Sequence, residues 1–180
     1  MIIEIMSREK LWIYSSFQND LKSAVISISY CNEDQLNLQK GPDNGIEAIC
    51  RVSFDDVEIG MTNCITDDDA EKMSSFVNGI IDKKDKLIVQ CGAGVSRSAG
   101  VAAAIMKHYA NNDMLVWGNP RYRPNKTCYR KVLVAFNEVI DEQELAEKLS
   151  INRNFGFEAC GESASPDLIL LSNDEEEMRI

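Results

Sequence analysis

Short runs of apolar, largely β-branched residues alternate along this chain with longer stretches in which apolar side chains recur every three or four positions. The first pattern is typical of buried strands, and the second is typical of helices that pack on a core. The short runs predict strands over residues 1–6, 24–30, 46–54 and 87–89. The longer stretches predict helices over residues 8–20, 66–81, 100–109 and about 126–150. This alternation of strands and helices predicts an α/β sandwich.

Two of the predicted helices carry more detail. In the first helix, we expect Trp12 and Phe17 to face the core. In the second, we expect Thr66 to cap the N-terminus and the acidic run 67–69 to interact favourably with the positive end of the helix dipole. The run Gly-Pro-Asp-Asn-Gly at residues 41–45 predicts a turn before the third strand.

The length of 180 residues and the hydrophobic content of 44% predict one domain with one core. We expect residues 1–150 to form that domain and residues 151–180 to form a C-terminal extension with an acidic, mobile end over 172–180. The net charge of −10 argues against nucleic acid and an anionic membrane as partners. No apolar run is long enough to span a bilayer and no signal peptide is recognisable, so we expect a cytoplasmic, monomeric protein.

The cysteine spacing includes no C-x-x-C pair and nothing typical of a zinc site, so no metal is expected. The six cysteines are Cys31, Cys50, Cys64, Cys91, Cys128 and Cys160. Reduced thiols suit a cytoplasmic location. A second cysteine near Cys91 could trap it as a disulfide after oxidation; the alternative is that the other cysteines are small apolar packing residues.

The segment 87–100 carries the strongest chemical signal. A predicted buried strand leads to Cys91 and a glycine-rich turn, and Arg97 follows at the start of an alanine-rich helix. Gly92 and Gly94 permit a positive φ or the close approach of a ligand. Unpaired N–H groups at a helix N-terminus, together with a guanidinium, suit a tetrahedral oxyanion. The same positive field favours the nucleophilic thiolate of Cys91; the alternative is an ordinary strand-to-helix turn with a buried, inert cysteine.

The sequence CGAGVSRS at residues 91–98 resembles the phosphate-binding loop of the cysteine-dependent protein tyrosine phosphatase superfamily, and most closely its compact dual-specificity branch. The segment 121–125 is similar to the region that follows this loop in that branch, and the segment 52–57 is similar to the strand end and loop that carry its general acid. The resemblance spans residues 45–140. It implies a mixed, mostly parallel sheet of four or five strands with helices on both faces, and it makes residues 1–150 a catalytic domain.

The resemblance also implies roles for individual residues. Cys91 is the nucleophile and Arg97 binds the phosphate oxygens. The backbone N–H groups of the loop would also bind the phosphate. These belong to Gly92, Ala93, Gly94, Val95, Ser96 and Arg97. Ser98 stands where the family keeps a hydroxyl that hydrogen-bonds the sulfur and eases its departure, a role compatible with capping the helix. Asp56 is the expected general acid, with Asp55 as the alternative; a solvated loop or a backbone cap is the interpretation without catalysis.

Several neighbouring positions remain open between two roles. Asn125 either supports the loop through backbone hydrogen bonds or caps the helix that begins near Lys126. Ser96 either faces outward or braces the turn. Gln90 supports the loop from the position where the family normally has a histidine that organises it. His108 is expected to be a packing or surface residue and not a catalyst.

The resemblance implies hydrolysis of phosphate monoesters on phosphoproteins through a phosphocysteine intermediate, without metal or cofactor. Uncharged residues at loop positions 92–96 favour a substrate with one phosphate, phosphotyrosine first, then phosphoserine and phosphothreonine. Arg121 and Arg123 either attract an acidic substrate or are solvated. Gln90 leaves open a weakly active or inactive phosphate-binding interaction module. A thiolate arsenate reductase or sulfurtransferase is the third alternative.

Overall fold

The computed structural model describes residues 1–154 and 168–170 of the chain. Its strands are β1 (Ile2–Ser7), β2 (Ser23–Ser29), β3 (Ile46–Ser53), β4 (Lys86–Cys91) and β5 (Leu168–Leu170). Its helices are α1 (Arg8–Ser15), α2 (Asp67–Ile80), α3 (Arg97–Ala110), α4 (Met114–Trp117), α5 (Lys126–Ala135) and α6 (Glu142–Asn154). None of these helices has the length and apolar character needed to cross a membrane.

The five strands form one sheet in the order β3-β2-β4-β1-β5. The first four strands of this order run parallel to their neighbours, whereas β5 pairs antiparallel with β1 at the edge. A mostly parallel sheet with an antiparallel edge strand is common among doubly wound folds. This topology confirms the predicted single-domain α/β fold with a mixed, mostly parallel sheet.

Each face of the sheet carries its own apolar cluster, because successive strand residues point to opposite faces. On one face, Ile26 and Val89 belong to the large cluster that includes the buried sides of α2, α3 and α5. On the other face, Val25 and Ile88 pack with Leu11 of α1 and with apolar residues of the loop before β3. Helices therefore cover both faces, as predicted.

The N-terminus of α2 confirms the predicted cap. The side chain of Thr66 accepts a hydrogen bond from the backbone N–H of Asp69, and the carboxylate of Asp69 accepts one from the backbone N–H of Thr66 at 3.1 Å. This reciprocal pair is a capping box, which satisfies two otherwise unpaired donors. The acidic first turn predicted at residues 67–69 lies beside the positive end of the helix dipole.

The expected packing of α1 is wrong. The helix ends at Ser15, and Trp12 and Phe17 are 60% and 65% exposed, while Leu11 is the residue that α1 buries. The hydroxyls of Ser15 and Ser16 donate to the carbonyl of Trp12, at 2.8 and 3.0 Å. Such side-chain hydrogen bonds to the backbone compete with continuation of a helix, which explains why α1 is shorter than the predicted element.

The predicted helix over residues 126–150 is also wrong as a single element, because two helices occupy this stretch. The break contains Asn137, whose φ of 62° is incompatible with a right-handed helix. The second helix restarts after Asp141, whose carboxylate accepts hydrogen bonds from the backbone N–H groups of Gln143 and Glu144. Those contacts satisfy donors at the start of α6, as an N-cap residue does.

The other element boundaries also differ from the sequence prediction. Helix α3 begins at Arg97, three residues before the predicted start, and α4 and β5 were not predicted. The expected domain boundary at residue 150 falls inside α6, and β5 pairs with β1 beyond that boundary. The expected acidic end at residues 172–180 lies outside the described residues.

A buried polar cluster joins α6 to α5 and to the residue that precedes α4. The ammonium of Lys148 lies 2.6 Å from the carboxylate of Asp113, and both side chains are at most 5% exposed. The hydroxyl of Tyr129 donates to the same carboxylate at 2.7 Å. Burial, followed by this hydrogen bond to Asp113, raises the pKa of Tyr129, so the phenol stays protonated. The cluster holds α6 against the rest of the domain.

We predict that Lys148→Met lowers the free energy of unfolding by about 3–5 kcal/mol, because it leaves the carboxylate of Asp113 buried without its cation. The exposed pair between Lys131 and Asp67 offers a matched control. Lys131→Met should change stability by less than about 1 kcal/mol. Urea unfolding of the two variants measures both values, and equal losses would contradict this view of the cluster.

Candidate active site

The carboxyl ends of the four parallel strands meet at one edge of the sheet, and the candidate site lies there. Strand β4 ends at Cys91, whose thiol is buried, and the loop 92–96 leads directly into α3. Ligands of open α/β sheets commonly bind in the crevice outside the carboxyl ends of their strands. Cys91, the predicted nucleophile, therefore lies at the edge of the sheet where a ligand would bind.

The loop 92–96 is held from outside through its carbonyl groups. The backbone N–H of Arg8 donates to the carbonyl of Gly92 at 3.0 Å, and that of Arg123 donates to Val95 at 2.9 Å. The backbone N–H of Asn125 donates to the carbonyl of Ser96 at 3.1 Å. Among the hydrogen bonds of the described residues, none uses an N–H group of this loop as donor. The loop therefore keeps its amide donors for a ligand.

Gly94 is the loop position that requires glycine. Its φ is +71°, and a Cβ built there would lie 2.6 Å from the backbone nitrogen of Ser7 and 2.7 Å from the backbone carbon of Met6. The turn from β1 into α1 is thus packed directly against the loop. Gly92 has no such constraint, because its Cβ would meet only ordinary contacts at 3.5 Å. Of the two glycines that the sequence analysis identified, only Gly94 is required by the backbone conformation and the packing of the loop.

Arg97 is almost completely buried, at 1% exposure. Its Nη1 donates to the carbonyls of Ser29, at 3.2 Å, and Phe54, at 2.7 Å. Its guanidinium carbon lies 3.6 Å from the centre of the Tyr30 ring, within cation–π distance. Nε is buried and has no hydrogen-bond partner among the described residues. An unpaired buried donor on a cation is costly, so this edge of the guanidinium suits an anionic ligand.

The thiol of Cys91 contacts the first turn of α3. Its Sγ lies 3.1 Å from the hydroxyl oxygen of Ser98, and both side chains are buried. The resemblance implies that the residue at position 98 carries a hydroxyl that hydrogen-bonds the sulfur. The contact is compatible with that role, because a hydroxyl can donate to a sulfur anion.

Asp56 contacts the loop directly. Its Oδ1 accepts hydrogen bonds from the hydroxyl of Ser96 and from the side-chain amide of Asn125, both at 2.8 Å. The side-chain oxygen of Asn125 accepts hydrogen bonds from the backbone N–H groups of Thr127 and Cys128 at the start of α5, at 2.9 Å each. Asn125 therefore combines the two roles that the sequence left open, and Ser96 braces the turn.

Asp55 makes its side-chain hydrogen bonds outside the loop 92–96, although it lies near enough to Arg97 to feel its charge. Its carboxylate accepts hydrogen bonds from the side chain of Asn63 at 3.0 Å and from the backbone N–H of Cys31 at 3.1 Å. The hydrogen bond from Asn63, followed by that from Cys31, lowers the pKa of Asp55. Asp56 is the one of the two carboxylates that is hydrogen-bonded to the loop, through the hydroxyl of Ser96, so the geometry favours Asp56 over Asp55 as the candidate acid.

Gln90 is buried beneath the loop, on β4, at 1% exposure. Its side-chain oxygen accepts a hydrogen bond from the hydroxyl of Ser27 on the neighbouring strand, at 2.8 Å. The contact joins β4 to β2 one residue before Cys91. The side-chain oxygen of Gln90 therefore has a hydrogen-bond partner within the sheet.

The remaining candidates lie elsewhere. His108 contacts the carboxylate of Glu138 at 2.6 Å and stacks on the ring of Phe136, which fits a packing or surface role. The described cysteines form no disulfide. Burial raises the pKa of Cys50 and, more strongly, of Cys128, whereas Cys160 lies outside the described residues. No cluster of His, Cys, Asp or Glu within residues 1–154 and 168–170 could hold a metal ion.

The sequence missed the groups that hold Arg97 in place. These are the ring of Tyr30 and the carbonyls of Ser29 and Phe54, which lie at the ends of β2 and β3. Carbonyl groups leave no signature in a sequence. Tyr30 closes a predicted strand, but its proximity to Arg97 depends on β2 lying beside β4, which a single sequence does not specify.

Comparison with known proteins gives distant structural likenesses. No family model matches the chain, and no curated protein matches it. Among solved structures, the chain is similar to the PTP-like phosphatase Tk-PTP in its active form, with 14% identity over 84% of this chain and 90% of that one and a TM-score of 0.37. PTPMT1 gives 16% identity over 79% of this chain and 87% of that one, with a TM-score of 0.43.

We predict that Gly94→Ala disables the loop, because the added Cβ meets the backbone of β1 and the positive φ strains alanine. Gly79→Ala is the control, because a Cβ at this position of α2 meets nothing within 4 Å, and it should retain the binding. Isothermal titration with orthovanadate, an oxyanion of the right shape, measures the difference. Equal affinities for the two variants would show that the loop does not form the oxyanion site.

Proposed function

We propose that this protein hydrolyses phosphate monoesters without a metal, through a phosphocysteine intermediate. The observation that carries the proposal is that Cys91 begins a loop with unused hydrogen-bond donors, and that this loop ends at the buried Arg97. The donors that would form an oxyanion cradle are the loop amides and Nε of Arg97, none of which has an acceptor among the described residues. These groups form one compact loop, so a phosphate bound by the donors would present its phosphorus to the sulfur.

The first step forms a bond between the sulfur of Cys91 and phosphorus and breaks the bond to the ester oxygen. The loop amides and Arg97 stabilise the charge on the equatorial oxygens, and one such donor typically contributes about 10²–10³-fold to the rate. The leaving oxygen needs a proton, which Asp56 supplies. Because the hydrogen bonds from Ser96 and Asn125 both reach Oδ1 of Asp56, Oδ2 is the oxygen that carries this proton.

The second step returns the enzyme to its starting state. Water attacks phosphorus, Asp56 takes the proton of that water, and the bond between sulfur and phosphorus breaks. Inorganic phosphate leaves, and the sulfur of Cys91 departs from phosphorus with the bonding electron pair. The hydroxyl of Ser98, which lies 3.1 Å from the sulfur, stabilises the departing thiolate by a hydrogen bond.

The substrate we propose is a phosphoprotein, with phosphotyrosine first and phosphoserine and phosphothreonine as further substrates. Between Cys91 and Arg97 the loop carries no charged side chain, which fits a single phosphate at this position. A cytoplasmic location, a monomeric state and the absence of a nucleic-acid or membrane partner stay predictions from the sequence.

A second candidate function is phosphate binding with little turnover. Gln90 supports it, because it stands beneath the loop where the resemblance implies histidine, and its side-chain oxygen is already engaged by Ser27. Such a protein would bind phosphopeptides and release them unchanged. The arsenate reductase alternative needs a second reactive thiol, and burial of Cys50 and Cys128, which raises the pKa of both thiols, disfavours these two cysteines in that role.

We predict that the protein hydrolyses aryl phosphates in the presence of a chelator and that Cys91→Ser abolishes this turnover. Rapid quenching followed by mass spectrometry should detect a phosphate adduct on the wild-type protein and none on the variant. Cys31→Ser, which alters an exposed cysteine, is the control and should retain activity.

The outcomes separate the candidates. Tight phosphopeptide binding without turnover by the wild-type protein would select the binding module. Hydrolysis that survives Cys91→Ser would contradict the phosphocysteine mechanism. Turnover of arsenate that needs an additional cysteine would select the third alternative.

We predict that Asp56→Asn lowers kcat for phenyl phosphate by about 10²–10⁴-fold, because the phenolate leaves without a proton. The loss should be much smaller for 4-nitrophenyl phosphate, whose leaving group needs little protonation. Asp55→Asn is the matched control, and any effect it has should be the same for both substrates. Stopped-flow and steady-state kinetics with the two esters measure these ratios. A leaving-group-dependent loss in Asp55→Asn alone would transfer the role of acid to Asp55.

A further inference from the structure

A cavity of about 360 Å³ lies directly beside the loop. It is bounded by Asp56 and Ser96 at the candidate active site, by the segment 123–126, and by Leu149 and Arg153 on α6. The cations that line it are Arg123, Lys126 and Arg153. The candidate mechanism uses none of these cations, so the cavity is available for a part of the substrate other than the scissile phosphate.

The cations of this cavity, which we call the flanking cavity, stand out against the charge of the chain. The whole sequence has a net charge of −10, yet three cations and two carboxylates line the flanking cavity. One of those carboxylates is Asp56, which is neutral when it carries the proton for the leaving group. Because mobile ions screen exposed charges beyond about 10 Å at 0.1 M salt, a ligand in the cavity experiences these local cations more than distant acidic residues.

Arg153 is the cation most open to a ligand. It is exposed and makes no hydrogen bond or ion pair with the residues that the structure describes. Its position is nevertheless defined, because the preceding Asn152 is buried and its amide donates to the carbonyls of Trp117, at 3.0 Å, and Tyr122, at 3.1 Å. The end of α6 is thereby fixed beside the segment that leads to Asn125.

Lys126 and Arg123 complete the flanking cavity. The ammonium of Lys126 lies 2.6 Å from the carboxylate of Glu58, and these side chains are 39% and 65% exposed. Exposed ion pairs of this kind contribute little, so Lys126 can exchange Glu58 for a ligand carboxylate or phosphate. The guanidinium of Arg123 is held by the carbonyls of Pro120, at 2.8 Å, and Tyr122, at 2.7 Å.

We propose that the flanking cavity is a specificity subsite for a second anionic group on a phosphopeptide, carried by a residue close to the one that is dephosphorylated. This inference rests on the proposed function and names its substrate class: acidic or multiply phosphorylated peptides. The shared chemistry is an anion with two or more acceptor oxygens, which Arg153 and Lys126 bind through charge-assisted hydrogen bonds. A carboxylate side chain and a second phosphate are the two sources of that anion.

The test compares phosphotyrosine peptides that differ at one flanking position, which holds alanine, glutamate or phosphoserine, with each flanking position taken in turn. We expect at least one position at which the acidic peptides exceed the alanine peptide in kcat/KM by about tenfold, the effect of one good charge-assisted hydrogen bond. This preference should fall as salt is added. A gain with both acidic residues identifies a general anion subsite, and a gain with phosphoserine alone identifies a phosphate subsite.

Three variants locate the preference. Arg153→Glu should bring the acidic-to-neutral ratio of kcat/KM close to one. Glu58→Gln should raise the ratio above that of the wild-type protein, because Lys126 loses its internal competitor. Lys40→Glu makes the same change in net charge as Arg153→Glu at an exposed residue of the loop before β3, and it should leave the ratio unchanged.

The proposal is overturned if no flanking position favours an acidic residue, or if Arg153→Glu keeps the wild-type ratio. Either result would leave hydrolysis of aryl phosphates, and hence the proposed function, intact. If the wild-type protein shows no turnover at all, the proposed function fails, and the same ratios are measured as peptide dissociation constants. A tenfold acidic preference that Arg153→Glu removes would then support the subsite alone.

Discussion

The buried guanidinium of Arg97 imposes the main constraint on this structure. A cation removed from water must be paired with acceptors, and here the acceptors are carbonyls at the ends of β2 and β3, with the ring of Tyr30 against its face. These contacts use Nη1 and leave Nε without a partner among the described residues. Two strands, one loop and one helix must therefore meet at this residue, and the edge of the guanidinium that carries Nε stays available to an anion.

The neighbouring contacts extend the same constraint to the candidate acid. The loop carbonyls are occupied by backbone donors from Arg8, Arg123 and Asn125, which leaves the loop amides available to a ligand. Asn125 also donates to Asp56 while it caps α5. A displacement of the segment 123–125 would therefore disturb the proposed oxyanion cradle, the candidate acid and the flanking cavity together.

The sequence predicted the parts of the structure that depend on local signals. The loop after β4 needs only a strand, glycines and a helix in succession, and the cap of α2 needs only Thr66 and Asp69. The contacts of Arg97 depend on strand order, which requires knowledge of long-range pairing. The expectation that Trp12 and Phe17 face the core is wrong because α1 ends before Phe17 and buries Leu11 instead. The break at Asn137 was missed because the apolar pattern continues across it.

A crystal structure of the protein with orthovanadate tests the central claim most directly. We expect vanadium bonded to Sγ of Cys91, with Nε and Nη2 of Arg97 donating to two equatorial oxygens and the loop amides to the others. Asp56 should lie against the apical oxygen opposite the sulfur. A loop that excludes vanadate, with the guanidinium of Arg97 turned away from Cys91, would contradict the account.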